Sequence, residues 1–132
     1  MRAHYPFRFA RDNSGAAAVE FALVSIPFFM LIFGIASIAM MMYTNAALHW
    51  AVDKSARTAS MQTSATQNQI SSEINTYLSS LGMPNATVSY TVAPGVLPVA
   101  HITATMSRTF TIPMVQPIQV DFSADTYVPQ GS

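Results

Sequence analysis

The sequence predicts a membrane-anchored α+β protein: a long N-terminal transmembrane and stalk helix, a second short helix, and a small antiparallel three-stranded β-meander. Three observations support this fold class. Residues 21–52 contain no Asp, Glu, Lys or Arg, a later segment repeats apolar residues at helical spacing, and the last third alternates apolar residues with threonine and serine. Charged residues make up only 9% of the 132-residue chain. Soluble domains carry about 25%, so an ordinary soluble domain is disfavoured.

The composition excludes several classes of function. Six basic residues balance six acidic ones, for a net charge of +0. We therefore expect no nucleic-acid partner, since binding phosphates requires a basic surface. The chain has no cysteine, which removes disulfides, thiol redox chemistry and cysteine metal sites.

Residues 21–43 are almost entirely apolar, and about 20 such residues cross a bilayer as a helix. A chain this short cannot bury that helix on all sides, so we predict a transmembrane span. The alternative is a cleaved secretory signal, whose apolar region is usually about 7–15 residues and ends in small residues. Here the run is longer and ends in Met40-Met41-Met42-Tyr43. Arginines 2, 8 and 11 precede the span, so the positive-inside rule predicts a cytoplasmic N-terminus.

Glu20 is the isolated charge at the start of the span. One interpretation is an interfacial carboxylate, which the helix dipole favours by about 0.3–1 kcal/mol. The other comes from its context, because a basic leader, Gly15, small residues and then Glu20-Phe21 resemble the processing signal of type IV prepilin-like proteins. Cleavage after Gly15 makes Ala16 the new N-terminus, with its ammonium one helical turn from Glu20. Glu20 then pairs with that ammonium or with the N-terminus of a neighbouring subunit.

Residues 11–27 read Arg-x-x-x-Gly-Ala-Ala-Ala-Val-Glu-Phe-Ala-Leu-Val-x-x-Pro and resemble the TadE-like family of the Flp/Tad pilus system. Phe33-Gly34-Ile35 and the run from Ala47 to Arg57 match further family patterns. Members often carry an acid shortly after the Gly-Ile pair, where this chain has Ser37. The resemblance implies a minor pilin-like protein of the bacterial inner membrane. Its expected partners are membrane lipid, a prepilin peptidase, and other pilin-like subunits and assembly proteins of the Tad pilus.

Three segments follow from this interpretation. Residues 1–15 form a cytoplasmic basic leader that is cleaved after Gly15, residues 16–62 form the transmembrane and stalk helix, and residues 63–132 form a periplasmic α+β domain. Pro27 lacks a backbone donor and is expected to kink the helix. Tyr43 and Trp50 suit the membrane–water interface on the outer, periplasmic side of the span.

The second helix is predicted from its ends and its apolar face. Thr66-x-x-Gln69 is a capping box, and Gly82 is a suitable stop. Between them lies one apolar face, which we interpret as core rather than as a docking surface: Ile70, Ile74, Tyr77, Leu78 and Leu81.

Three alternating runs, beginning near Val88, Ala100 and Ile118, predict the strands. They are separated by the Pro94-Gly95 turn and by residues 113–117. Arg108 falls on the apolar side of its strand and is expected to reach around the sheet edge or to pair with Asp121. Residues 128–132 are expected to be loose.

No catalytic, cofactor or metal site is predicted, and no small-molecule substrate is expected. His49 and His101 have no partner at metal-ligand spacing. Asp121 and Asp125 lie about 13 Å apart along a strand, too far for a carboxylate dyad. We therefore do not expect an enzyme. The alternative to a pilin-like assembly protein is a single-pass, membrane-tethered periplasmic binding or adhesion domain with no role in a filament.

Overall fold

The computed structural model of the chain describes residues 14–62, 65–94 and 98–129. The elements, in chain order, are α1 (Ser14–Met61), α2 (Gln67–Ser80), β1 (Thr87–Ala93), β2 (Val99–Phe110) and β3 (Ile118–Pro129). This order confirms the predicted α+β fold. The predicted basic leader up to residue 13, the second residue of the Pro94-Gly95 turn and the last three residues lie outside the described residues.

Helix α1 has two parts with different surroundings. We call residues 15–43 the exposed stem and residues 44–61 the packed half. From Thr44 onward, buried residues recur every three or four positions and form one stripe along the helix: Thr44, Ala47, Leu48, Ala51, Val52, Ser55, Ala56 and Ala59. Most of these side chains are small, so the helix axis lies close to the sheet.

Helix α2 begins and ends as its local sequence predicts. The Thr66 hydroxyl accepts a hydrogen bond from the Gln69 amide (3.4 Å), and the Gln69 side chain accepts one from the Thr66 amide (3.1 Å). These two bonds form the predicted capping box. At the other end Gly82 has φ 68, and the Met83 amide donates to the Leu78 carbonyl at 2.9 Å. The positive φ explains the glycine, since other residues adopt this conformation at a cost.

The sheet is antiparallel in the order β1-β2-β3, with one face toward the helices. The predicted apolar face of α2 is confirmed as core, with Ile70, Ile74 and Leu78 fully buried. The strands contribute alternate residues to the same core: Val88, Ile102, Ala104, Met106, Phe110, Phe122, Ala124 and Val128. Val128 corrects one expectation, because it was predicted to be loose. It is buried and pairs with Ala100, so β3 continues through Pro129.

Arg108 corrects a second expectation. Its Nη1 donates to the Thr44 hydroxyl at 3.2 Å and lies 3.1 Å from the Met83 sulfur. Asp121 instead accepts a hydrogen bond from the Ser107 hydroxyl at 2.7 Å. The predicted pairing of Arg108 with Asp121 is wrong because successive residues of a strand face opposite sides of the sheet. Arg108 faces α1 and joins the end of β2 to the start of the packed half.

Candidate functional site

The predicted processing residues lie at the beginning of α1. Gly15, Ala16, Glu20 and Phe21 are all exposed, and 74% of Phe21 is accessible. A Cβ atom added to Gly15 would have no neighbour within 4 Å. Packing within the chain therefore does not require glycine there, and a requirement for glycine would come from a partner. The first turn of a helix is also its weakest part, because its amides have no acceptor in a preceding turn.

Ala16 and Glu20 are four positions apart in the helix, so their side chains share one face. The next charged residue along the chain is Asp53. Glu20 is therefore the single charge of the exposed stem. A backbone ammonium at Ala16, which exists only after cleavage, would be its nearest cationic group along the helix.

The exposed stem has no buried face. Its most apolar 18-residue window has a mean hydropathy of 2.4 and is 0% buried, which distinguishes it from the core helix of a soluble protein. Leu31, Ile32 and Phe33 occupy successive positions and so point to different sides of the helix, and they are 60%, 42% and 44% exposed. A helix that is apolar on all sides requires an apolar environment. Its length and composition fit a single-pass membrane protein.

The two serine hydroxyls within the stem, those of Ser25 and Ser37, are satisfied by the helix itself. The Ser25 hydroxyl donates to the Ala22 carbonyl at 3.0 Å, and the Ser37 hydroxyl donates to the Phe33 carbonyl at 2.8 Å. Such bonds allow serine to lie in lipid without an unpaired donor. Pro27 lies inside α1, which continues through it, and the kink at that position stays a prediction.

Trp50 has contacts that the sequence did not indicate. Its ring packs edge-on against Tyr77, with the ring centroids 5.5 Å apart. The Lys54 ammonium lies 4.9 Å from the Trp50 centroid and 4.4 Å from that of Tyr77. The Tyr77 hydroxyl donates to Glu73 at 2.8 Å, and this hydrogen bond is the main cause of a raised pKa for Tyr77. Trp50 thus joins α1 to α2, whereas its predicted place at the membrane interface stays a prediction.

The outer face of the sheet carries a second polar group that was missed. His101 stacks on Tyr127 with a centroid distance of 4.3 Å, and its Nε2 lies 3.8 Å from an Asp125 carboxylate oxygen. Sequence reasoning left His101 without a partner because it compared residues along one strand. The signal lies across the strands, where the register pairs His101 with Tyr127 and Thr103 with Asp125. Within the described ranges, no group of three metal-ligating residues is present.

Comparison with known proteins identifies one segment of the chain. Residues 15–57 match the family described as TadE-like protein. The match begins at the predicted processing glycine, includes the exposed stem and ends within the packed half, before α2 and the sheet. It confirms the resemblance inferred from the sequence. No curated protein and no solved structure matches the chain.

Proposed function

We propose that this chain, which carries a TadE-like segment over residues 15–57, is a minor pilin-like subunit for assembly of a Flp/Tad-type type IV pilus. In this proposal α1 first anchors the chain in the bacterial inner membrane, with the N-terminus in the cytoplasm and the sheet in the periplasm. A prepilin peptidase then cleaves after Gly15. The observation that carries the proposal is that Gly15, Glu20 and a helix apolar on all sides lie together in the matched segment.

The exposed stem supports this role because its surface suits two apolar environments. In the precursor, lipid chains cover the stem. In an assembled filament, the stems of neighbouring subunits take their place. Helices in apolar surroundings associate through close packing and not through the hydrophobic effect, so the exchange requires complementary shape.

Glu20 supplies the directional contact in this mechanism. An unpaired acid within the bilayer costs roughly 2.5–3.5 kcal/mol on insertion scales. Cleavage creates an ammonium at Ala16, one turn away along the helix. The same ammonium on a neighbouring subunit reaches Glu20 only when the two helices have the correct axial offset. Pairing would therefore fix the register of the subunits.

The cleavage step is tested with Gly15→Leu. Leucine has free space at this position, so the fold is preserved while the peptidase loses its glycine. Gly34→Leu is a matched control, because Gly34 lies in the same helix and a Cβ there also meets nothing within 4 Å. The readout is the intact mass of the protein from the membrane fraction.

We expect the wild type and Gly34→Leu to begin at Ala16, and Gly15→Leu to retain the leader. A wild-type protein that still carries its first 15 residues would show that the processing step does not occur.

The register role is tested with Glu20→Gln, which keeps the size of the side chain and removes its charge. Asp53→Asn is the control, since Asp53 is an exposed carboxylate in the packed half of the same helix. Membrane levels and cleavage should match the wild type in both variants. We expect Glu20→Gln alone to reduce pilus number in electron micrographs, and normal piliation in that variant would contradict the role.

A tethered binding or adhesion domain is the second candidate function, and the exposed His101–Tyr127 stack on the sheet is the observation that favours it. Under that function, Tyr127→Ala reduces attachment of cells to a surface while pilus number stays unchanged. Under the pilin-like function, Tyr127→Ala alters neither property, and Glu20→Gln reduces both.

A further inference from the structure

The end of the hairpin formed by β2 and β3 exposes a group of large apolar side chains. We call residues 111–117 the β2–β3 loop. Met114 is 81% exposed and Val115 45%, and Ile118 at the start of β3 is 42% exposed. No charged residue occurs between Arg108 and Asp121. Large apolar side chains exposed close together in sequence, with no charge among them, favour contact with another apolar surface. We call Met114, Val115 and Ile118 the apolar patch of the hairpin.

The hairpin places this loop beside the exposed stem. The hydrogen bond from Arg108 to Thr44 holds the end of β2 at the first residue of the packed half. Beyond it, Thr109, Phe110 and Thr111 border a cavity of about 270 Å³ shared with the stem residues Phe33, Ala36, Ser37 and Met40. The opposite end of β3 lies near Asp53 and Ser60. The hairpin therefore points along α1 toward the stem.

The distance along α1 places the loop near the membrane boundary. With a rise of 1.5 Å per residue, Phe33 and Met40 lie about 20 Å and 30 Å from Glu20 along the helix axis. The hydrocarbon core is about 30 Å thick. If Glu20 lies at one boundary of the hydrocarbon, the stem residues beside β2 span the outer part of the opposite leaflet up to its boundary.

The turn within the loop has an apolar residue, Met114, at a position whose backbone conformation favours glycine. The Val115 amide donates to the Ile112 carbonyl at 3.1 Å, which closes a turn with Pro113 in its second position. Met114 follows with φ 66, the conformation for which a turn of this kind favours glycine. The bond satisfies part of the loop backbone internally, while the Met114 side chain remains free to contact lipid.

We propose that the β2–β3 loop inserts its apolar side chains into the leaflet on the sheet side of the membrane that α1 spans. The occupant of the apolar patch is lipid, because the patch continues the lipid-facing surface of the stem. Loop backbone groups stay in the interface, where water and headgroups satisfy them. The half-buried Arg108 guanidinium lies at the base of the loop, at the level where lipid phosphates accept hydrogen bonds. Insertion of the loop would be a second membrane contact beside the α1 span, and it would fix the rotation of α1 about its axis. It requires α1 to span the membrane, and it does not require cleavage after Gly15.

The chain has no cysteine, so a single introduced cysteine reports on one position. Met114→Cys and Met61→Cys form a matched pair, because the two methionines are 81% and 86% exposed and lie at opposite ends of the folded part. Ile32→Cys reports on the middle of the stem, and Val115→Cys is a second reporter in the loop. Each full-length variant is labelled with a polarity-sensitive fluorophore. It is then reconstituted at low protein density in phosphatidylethanolamine and phosphatidylglycerol vesicles, with quenchers on the lipid chains or in the water.

We expect lipid-borne quenchers to act several-fold more strongly on the labels at 114 and 115 than on the label at 61, with the aqueous quencher showing the opposite order. Equal aqueous quenching at 114 and 61 would overturn the proposal. Protection of position 114 that appears only at high protein density would also overturn it, since a second copy would then cover the loop. An Ile32 label outside the lipid would remove the premise that α1 spans the membrane, and the proposal with it.

Discussion

The two parts of α1 are one continuous helix with opposite relations to the rest of the chain. In the exposed stem, large apolar side chains such as Phe21 and Leu31 are 74% and 60% exposed. In the packed half, Leu48 and Ala51 have no exposed surface. The stem is apolar on all sides, whereas the packed half is apolar along one stripe. A helix that is apolar on all sides thus indicates that its apolar environment comes from outside the chain. A helix with a single apolar stripe indicates that other parts of the chain cover that stripe.

The change from the exposed stem to the packed half occurs at Thr44. Its hydroxyl donates to the Met40 carbonyl at 2.8 Å and accepts from Arg108 at 3.2 Å. It is the first fully buried residue of α1, and its bond to Arg108 spans 64 positions of sequence. The family match covers the exposed stem and the packed half as far as residue 57, so it includes most of the helix and none of the sheet that packs on it.

The largest expected difference between the two parts concerns leucine truncation. Leu48→Ala removes a fully buried side chain and leaves a cavity, which typically costs about 2–5 kcal/mol of unfolding free energy. Leu31→Ala is the matched change in the stem, where detergent or lipid surrounds the side chain before and after the sheet unfolds. We expect its effect to stay within about 0.5 kcal/mol.

The measurement is thermal unfolding in detergent micelles, followed by the near-ultraviolet circular dichroism of the aromatic residues. A large fall in melting temperature for Leu48→Ala alone is the expected result. Similar falls for both variants would show that the stem also depends on packing within the chain.

A smaller effect is expected at the boundary between the two parts. Arg108→Met and Thr44→Val each remove the hydrogen bond that joins β2 to α1. A typical net hydrogen bond contributes about 0.5–1.5 kcal/mol, so the double-mutant cycle should give a coupling energy in that range. Ser107→Ala with Asp121→Ala is the control cycle, because that 2.7 Å bond lies on the exposed face of the same strand pair. We expect a coupling near zero there, and equal couplings would contradict a special role for the helix-facing bond.

Local patterns predict the elements of this fold because their causes lie within a few residues. The capping box at Thr66 and Gln69 and the stop at Gly82 set the ends of α2 through bonds to their own neighbours. Alternation predicts the strands and identifies which side chains enter the core. The end of β3 was missed, because the burial of Val128 depends on its pairing with Ala100, nearly 30 positions earlier.

Contacts between distant residues are the part that the sequence did not predict. The side of the sheet that Arg108 faces follows from alternation, but its partner Thr44 depends on how α1 crosses the sheet. The same holds for His101 and Tyr127, which meet only through the register of β2 and β3. The processing residues differ again. Gly15 and Glu20 were predicted because the residues around them resemble a prepilin processing signal. Their expected partners are a peptidase and other subunits, so contacts within one chain do not test their roles.

The smallest expected effect concerns pH and the contacts of the packed half with α2. The pKa of Tyr77 is raised above its ordinary value of 10.0, first because its hydroxyl donates to Glu73, then through desolvation and the negative charge of Glu73. A hydrogen bond with Thr58 acts in the opposite direction. The folded chain thus holds the phenolic proton more tightly than the unfolded chain. The resulting stability is fully present below the unfolded pKa of about 10 and is lost as pH rises through the folded value.

We expect the melting temperature to fall more steeply above about pH 10 in the wild type than in Tyr77→Phe, which keeps the ring against Trp50. Identical pH profiles for the two proteins would show that the hydrogen bond from Tyr77 to Glu73 does not stabilise the contact between α1 and α2.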